Sequence, residues 1–143
     1  MRRLRADDRG SVLPLVIGAV VIVLTLVTVV TDVSTLWLQR RALQATVDGA
    51  ALAGAQAVDL PSVYAGGAHG DLRLDPRAAR TAVTSYVRVV PTTLRSLRVS
   101  SVAVTGTTVT VRATALAAPP FLSLLTGRGI TVVAEATAAN SAG

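Results

Sequence analysis

Residues 11–31, SVLPLVIGAVVIVLTLVTVVT, form a run of 21 residues without a charged side chain. As an α-helix this run would be about 31 Å long, which matches a hydrocarbon core of about 30 Å. Fourteen of its residues are Val, Leu or Ile. Pro14 falls in the first turn, where its missing N–H costs no intrahelical hydrogen bond. The run therefore predicts a transmembrane helix.

The alternative interpretation of this run is a cleaved secretory signal. Basic residues before the run are typical of both a signal peptide and a transmembrane helix. The apolar run is longer than the usual core of a signal peptide, and the residues after Thr31 lack a small-x-small cleavage pattern. Four arginines precede the run, against Arg40 and Arg41 just after it. Because cytoplasmic flanks are enriched in basic residues, we expect residues 1–10 to be a cytoplasmic leader and residues 32–143 to lie outside the membrane.

The helix is predicted to continue through residues 32–58, because no proline interrupts the chain before Pro61. Residues of one face recur at alternating spacings of four and three, which is typical of a helix that packs on another element. This face comprises Val29, Val33, Leu36, Arg40, Leu43, Val47, Ala50, Gly54 and Ala57. Gly49, Ala53 and Ala57 are also four residues apart, and small residues at that spacing let helix backbones approach closely. We therefore predict one nearly continuous helix from Ser11 to about Val58 that packs on homologous helices.

The remaining residues, 59–143, predict a small α+β head. Asp75 before Pro76 is a typical helix start, which predicts a helix to about Val89 with Ala79, Val83 and Tyr86 on its apolar face. Two alternating runs follow, and Thr105-Gly106-Thr107 between them predicts a β-hairpin turn.

The predicted hairpin has an irregular alternation near Ser100-Ser101, which indicates a bulge or a later strand start. A helical turn is expected at Phe121–Leu125 and a third strand at Ile130–Ala138. The predicted fold class is thus α+β, with a long N-terminal helix, a short helix and about three antiparallel strands. Because so few strands of small side chains bury little area, we expect the head to depend on the long helix or on a partner.

The composition argues against several classes of function. The chain has no cysteine and a single histidine, which excludes a disulfide framework, a thiolate metal site and a multi-histidine site in one chain. His69 lies in a glycine-rich loop without a partner for acid–base work, and Glu135 is expected to pair with Arg112 across the sheet. The net charge of +6 is spread along the chain without the basic clusters and aromatics of nucleic-acid binders. We predict a protein that is not an enzyme and has no cofactor, metal or nucleic-acid ligand.

The first 58 residues resemble the N-terminal module of TadE/TadG-like proteins of the tight-adherence (Flp) pilus assembly family. The resemblance rests on Arg9-Gly10-Ser11 before the apolar run, on Asp32 after it, and on LQRRALQATVDGAALAGAQA at residues 38–57. Its family positions in this chain are Asp32, Leu43, Gln44, Asp48, Gly49, Ala50, Ala53, Gly54 and Ala57. The resemblance implies a single-pass, pilin-like protein of a surface-pilus or secretion apparatus.

The resemblance also implies processing between Gly10 and Ser11, where a prepilin peptidase would cut before the apolar run. Pilins of that kind usually carry Glu at the fifth residue after the cut, and here that residue is Leu15. The difference favours a TadG-like accessory or minor pilin and leaves processing between Gly10 and Ser11 open.

The expected partners are the membrane, other pilin-like or pilus-assembly proteins, and a second copy through the long helix. The expected location is the cell membrane, with the head outside the cytoplasm. The alternative is a membrane-tethered extracytoplasmic binding module with no role in pilus assembly, in which the helix is only a tether. Asp32 is expected at the membrane interface, with partner binding inside the membrane as the less favoured role.

Overall fold

The computed structural model describes residues 12–57 and 73–140, and the predictions for Gly10, Ser11 and His69 lie outside them. The elements, in chain order, are α1 (Val12–Ala55), α2 (Pro76–Val89), β1 (Arg95–Thr105), β2 (Thr108–Ala117), α3 (Pro120–Thr126) and β3 (Ile130–Ala139). The predicted α+β class, with one long helix and three antiparallel strands, is confirmed.

Helix α1 has two halves with different surroundings. From Val12 to Val27 every residue is exposed on the surface of the structure, although most are Val, Leu or Ile. From Leu43 onward one face is buried, at positions that alternate by three and one: Leu43, Thr46, Val47, Ala50, Ala51, Gly54 and Ala55. The first half is long and apolar enough to cross a membrane. The second half belongs to the core of the head.

Helix α2 begins as the sequence predicts. The Asp75 side chain accepts a hydrogen bond of 2.8 Å from the backbone N–H of Arg77, and Pro76 occupies the first turn. The carboxylate thereby satisfies one of the free N–H groups at the helix start. Ala79 and Val83 are fully buried, and Tyr86 packs against the same core.

The three strands form one antiparallel sheet in the order β1-β2-β3. The predicted turn joins β1 to β2, and Gly106 has a φ of 59°, a left-handed conformation that glycine adopts without strain. The register between β1 and β2 shifts between Val99 and Ser101, so the irregularity expected there is a β-bulge.

One face of the sheet rests on α1. In the central strand β2 every second residue from Val109 is buried, which gives Val109, Val111, Ala113, Ala115 and Ala117. The inward residues are therefore Val and Ala, and the core that they form with α1 and α2 is thin. The sheet and α1 depend on each other, because each supplies the apolar surface that buries the other.

The small residues of α1 face the head of the same chain. A Cβ added at Gly54 would lie 2.9 Å from Cγ2 of Val83 and 3.1 Å from Cγ1 of Val109, and one added at Gly49 would overlap the Tyr86 ring. The close approach that the sequence predicts is real. Its partners are α2 and β2, so the expectation that Gly49 and Gly54 pack on homologous helices is corrected. Self-association through α1 needs a different face.

We predict that Gly54→Leu destabilises the head, because both neighbouring valines are fully buried and leave no room. Overpacking of this kind costs about 1–3 kcal/mol. Amide hydrogen exchange of β2, measured in detergent micelles, should become faster by about tenfold or more.

Gly18→Leu is the matched control, since an added Cβ there meets no atom within 4 Å. It removes a glycine from the same helix and should leave exchange in β2 unchanged. Equal exchange in the two variants would contradict the packing described for Gly54.

Candidate functional site

The site is the junction between α1 and the head, where polar side chains of α1 hold backbone groups of the distant sheet and of α3. Asp32 is half-buried at the end of the apolar run. Its Oδ1 accepts a hydrogen bond of 3.0 Å from the N–H of Phe121, and its Oδ2 accepts one of 2.8 Å from the N–H of Leu122. Both amides belong to the first turn of α3, which has no side-chain cap of its own. Asp32 therefore caps a helix that is 89 and 90 residues away in sequence.

Two glutamines continue this attachment along α1. Gln39 Oε1 accepts a hydrogen bond of 3.2 Å from the N–H of Ala118, which lies between β2 and α3. Gln44 Nε2 donates to the backbone O of Glu135 in β3 at 3.1 Å and to Oδ1 of Asp48 at 2.9 Å. Asp48 is thus a local support that orients the Gln44 amide. These hydrogen bonds fix the position of the sheet along the axis of α1.

The apolar residues among the predicted family positions also lie at the junction between α1 and the head. Leu43, Ala50 and Gly54 are buried, while Gly49, Ala53 and Ala57 are half-buried. The backbone O of Ala57 accepts a hydrogen bond of 3.2 Å from the N–H of Asp75, so the far end of this region is tied to the start of α2. The motif residues from Leu43 to Ala57 therefore line the contact between α1 and the head.

Other polar groups have local roles. The hydroxyl groups of Thr25, Thr28 and Thr31 each donate at 2.8 Å to the carbonyl four residues earlier, so they bond within their own helix. Arg112 and Glu135 are cross-strand partners, with Nε of Arg112 donating to Oε2 of Glu135 at 3.0 Å. Both side chains are about half exposed, so this pair stabilises the sheet little.

A shallow groove lies between α2 and β1. Arg80, Thr84 and Arg88 line one side of it, and residues 97 and 99–102 line the other. In residues 12–57 and 73–140, no group of three or more His, Asp or Glu side chains lies close enough to hold a metal ion. The chemistry at the junction is hydrogen bonding and packing.

Sequence reasoning missed Gln39 and the amides of α3. Their contacts join residues 79 to 90 positions apart. One signal was present: α3 starts at Pro120 without an Asp, Asn, Ser or Thr before it, so its free N–H groups needed an acceptor from elsewhere.

Residues 10–57 match the family model described as "Putative Flp pilus-assembly TadE/G-like". The match spans α1 and stops before α2, so it contains Asp32, Gln39, Gln44 and Asp48 and none of the head residues that they hold. No curated protein and no solved structure matches the chain significantly. The resemblance of the N-terminal residues to TadE/TadG-like proteins is therefore confirmed over residues 10–57.

We predict that Asp32→Ala loosens α3, because the N–H groups of Phe121 and Leu122 lose their acceptors. Loss of a capping side chain costs about 0.5–2 kcal/mol, so exchange of these two amides should become severalfold faster. Asp32→Asn keeps one acceptor oxygen and should have a smaller effect.

Asp48→Ala is the control, because Asp48 accepts from the Gln44 side chain and from neither amide. It removes a carboxylate from the same helix and should leave α3 unchanged. Unaltered exchange in Asp32→Ala would show that the carboxylate does not hold α3 in solution.

Proposed function

We propose that this chain is a pilin-like, membrane-anchored component of a tight-adherence (Flp) pilus apparatus, with a structural or assembly role. The observation that carries the proposal is the coincidence of the family match, residues 10–57, with α1. The match covers the apolar half of that helix and the half on which the head rests. It therefore covers both parts that an anchored pilin-like subunit needs.

The exposure of the first half of α1 supports the membrane anchor. A run of exposed Val, Leu and Ile of this length is unfavourable in water and favourable in a lipid bilayer. The side-chain hydroxyl groups within it are bonded to backbone carbonyls of the helix, so they do not oppose burial in lipid. We place the membrane-spanning segment at residues 11–31.

The proposed organisation follows from that segment. Residues 1–10 are a basic cytoplasmic leader, and residues 32–58 lie outside the membrane, where the helix continues to Ala55. Residues 59–143 form the extracytoplasmic head. Asp32 lies at the boundary, where it joins the head to the outer end of the span.

Partner contacts of α1 are proposed for its exposed surface. Leu43, Ala50 and Gly54 are occupied by the chain's own head, so other pilin-like proteins or a second copy would contact the exposed apolar residues nearer the N-terminus. Processing between Gly10 and Ser11 is proposed on the family resemblance. An intact mass that begins at Ser11 supports a minor pilin, and one that begins at Met1 supports an unprocessed assembly factor.

The topology is testable because the chain has no cysteine. Ser85→Cys on the exposed side of α2 should react with a membrane-impermeant maleimide in intact spheroplasts. In chains whose intact mass begins at Met1, Ala6→Cys in the leader should react only after the membrane is permeabilised. The reverse labelling pattern would overturn the proposed orientation.

The function is testable in cells by counting pili with electron microscopy. Deletion of this chain should abolish or strongly reduce pili, and the wild-type chain should restore them. A variant with residues 12–31 replaced by an unrelated apolar helix should stay in the membrane, with its head junction intact, and fail to restore pili.

Two results would contradict the proposal. Normal piliation after deletion would exclude a role in pilus assembly. Full restoration by the replaced helix would refute the proposed partner contacts through the span, which would then be only a tether.

A further inference from the structure

We propose that α3 and the adjoining end of the sheet form a second membrane contact, which inserts into the lipid interface beside the transmembrane helix. The proposal rests on the membrane anchoring proposed above. The contact surface, called the apolar tip here, consists of Leu116, Phe121, Leu122, Leu124, Leu125 and Ile130.

The side chains of the apolar tip are large and apolar, yet much of their surface is exposed. Leu124 and Leu125 are each 83% exposed, and α3 contains no buried residue. The other members of the tip are between 38% and 40% exposed. Exposed apolar side chains concentrated on one short helix and the adjoining strand ends indicate an interaction with a membrane or a protein, because their exposure to water is unfavourable.

The structure fixes the position of α3 relative to the end of the apolar run. Asp32 directly follows the apolar run 11–31, and its carboxylate holds the first turn of α3 through two hydrogen bonds. The short helix is therefore tied to the end of the membrane span. Any bilayer that covers residues 11–31 has its interface at the level of α3.

Trp37 independently marks the same level. It lies five residues after Asp32, about 7.5 Å along the helix axis, and is 58% exposed. The Arg41 guanidinium carbon lies 5.4 Å from the centre of its ring. An exposed tryptophan with a cationic neighbour just beyond an apolar span is typical of the lipid headgroup region.

The charges around the tip suit a phospholipid surface. Arg128 lies two residues after the end of α3, and Arg95 pairs with Leu116 at the same end of the sheet. The sequence from Arg95 to Ala134 contains no acidic residue. Arginines beside exposed leucines favour anionic headgroups above an apolar layer, and an interfacial helix of this kind reaches about 5–10 Å into the boundary.

We favour a lipid interface over a second copy as the partner of the apolar tip, because the hydrogen bonds to Asp32 already hold α3 beside the end of the proposed membrane span. The hydrogen bonds of Asp32 place α3 beside the chain's own span, so no additional molecule is needed to cover the leucines. The head would then contact the membrane at two points, α1 and the tip, and could not swing freely about the end of the span.

The test uses tryptophan fluorescence of the full chain in vesicles of phosphatidylcholine and phosphatidylglycerol with brominated acyl chains. Because the chain has one tryptophan, Trp37→Phe removes the background and Leu124→Trp adds a probe at the tip. The matched control is Trp37→Phe with Leu52→Trp. Leu52 is also exposed, and it lies 20 residues beyond Asp32 on α1, about 30 Å from the interface.

We expect the probe at position 124 to emit at shorter wavelength than the probe at position 52 and to lose intensity in brominated vesicles, while the control keeps its intensity. Quenching should be strongest with bromine near the headgroup end of the acyl chain. Substitution at an 83% exposed side chain leaves the core intact, and unchanged exchange in β2 would verify this.

Three results separate the possible failures. A wild-type chain that does not float with vesicles would refute the proposed anchor and, with it, this inference. A chain that floats but whose probe at position 124 remains unshifted and unquenched would refute the tip alone. A shifted, unquenched probe whose signal depends on protein concentration would show that a second copy or another protein covers the tip, which also overturns the inference.

Discussion

The packing of a three-stranded sheet on the second half of α1 is the interaction on which the rest of the structure depends. A small sheet with Ala and Val on its inner face buries little area by itself. The helix supplies the second layer, and Gly54 lets β2 and α2 come close enough for the short side chains to touch. The same helix continues beyond the head as an exposed apolar segment, so one continuous element carries both the fold of the head and its proposed attachment to a membrane.

Local sequence patterns were sufficient to predict most of the elements. Asp75-Pro76 identified the start of α2, Gly106 identified the hairpin, and the spacing of Leu43, Val47 and Ala50 identified the buried face of α1. Each of these signals depends on residues a few positions apart. Such signals report backbone conformation and amphipathicity directly.

The partner of the buried face was not predictable in the same way. A helix face with small residues looks alike in sequence whether it meets another helix, a sheet or a second copy of the chain. In the structure the buried face of α1 packs on β2, whose inward valines and alanines alternate along the strand and include Val109 beside Gly54. The role of Asp32 was hidden for a related reason, because its two ligands are backbone amides about 90 residues later that carry no side-chain signature.

The junction also bears on how a subunit of this kind would move. Asp32, Gln39 and Gln44 attach the head to α1 at three positions along the helix. We therefore expect the head and the half of α1 on which it packs to move as one body. Transfer from a bilayer to a filament would then replace the lipid around α1 by other apolar helices while the junction stays intact. With the apolar tip seated in lipid, the same transfer would also expose Leu124 and Leu125, so a neighbouring subunit would have to cover them. A chain without such a neighbour stays where both apolar surfaces are satisfied, which is the membrane, and this favours the anchored assembly role over the filament role.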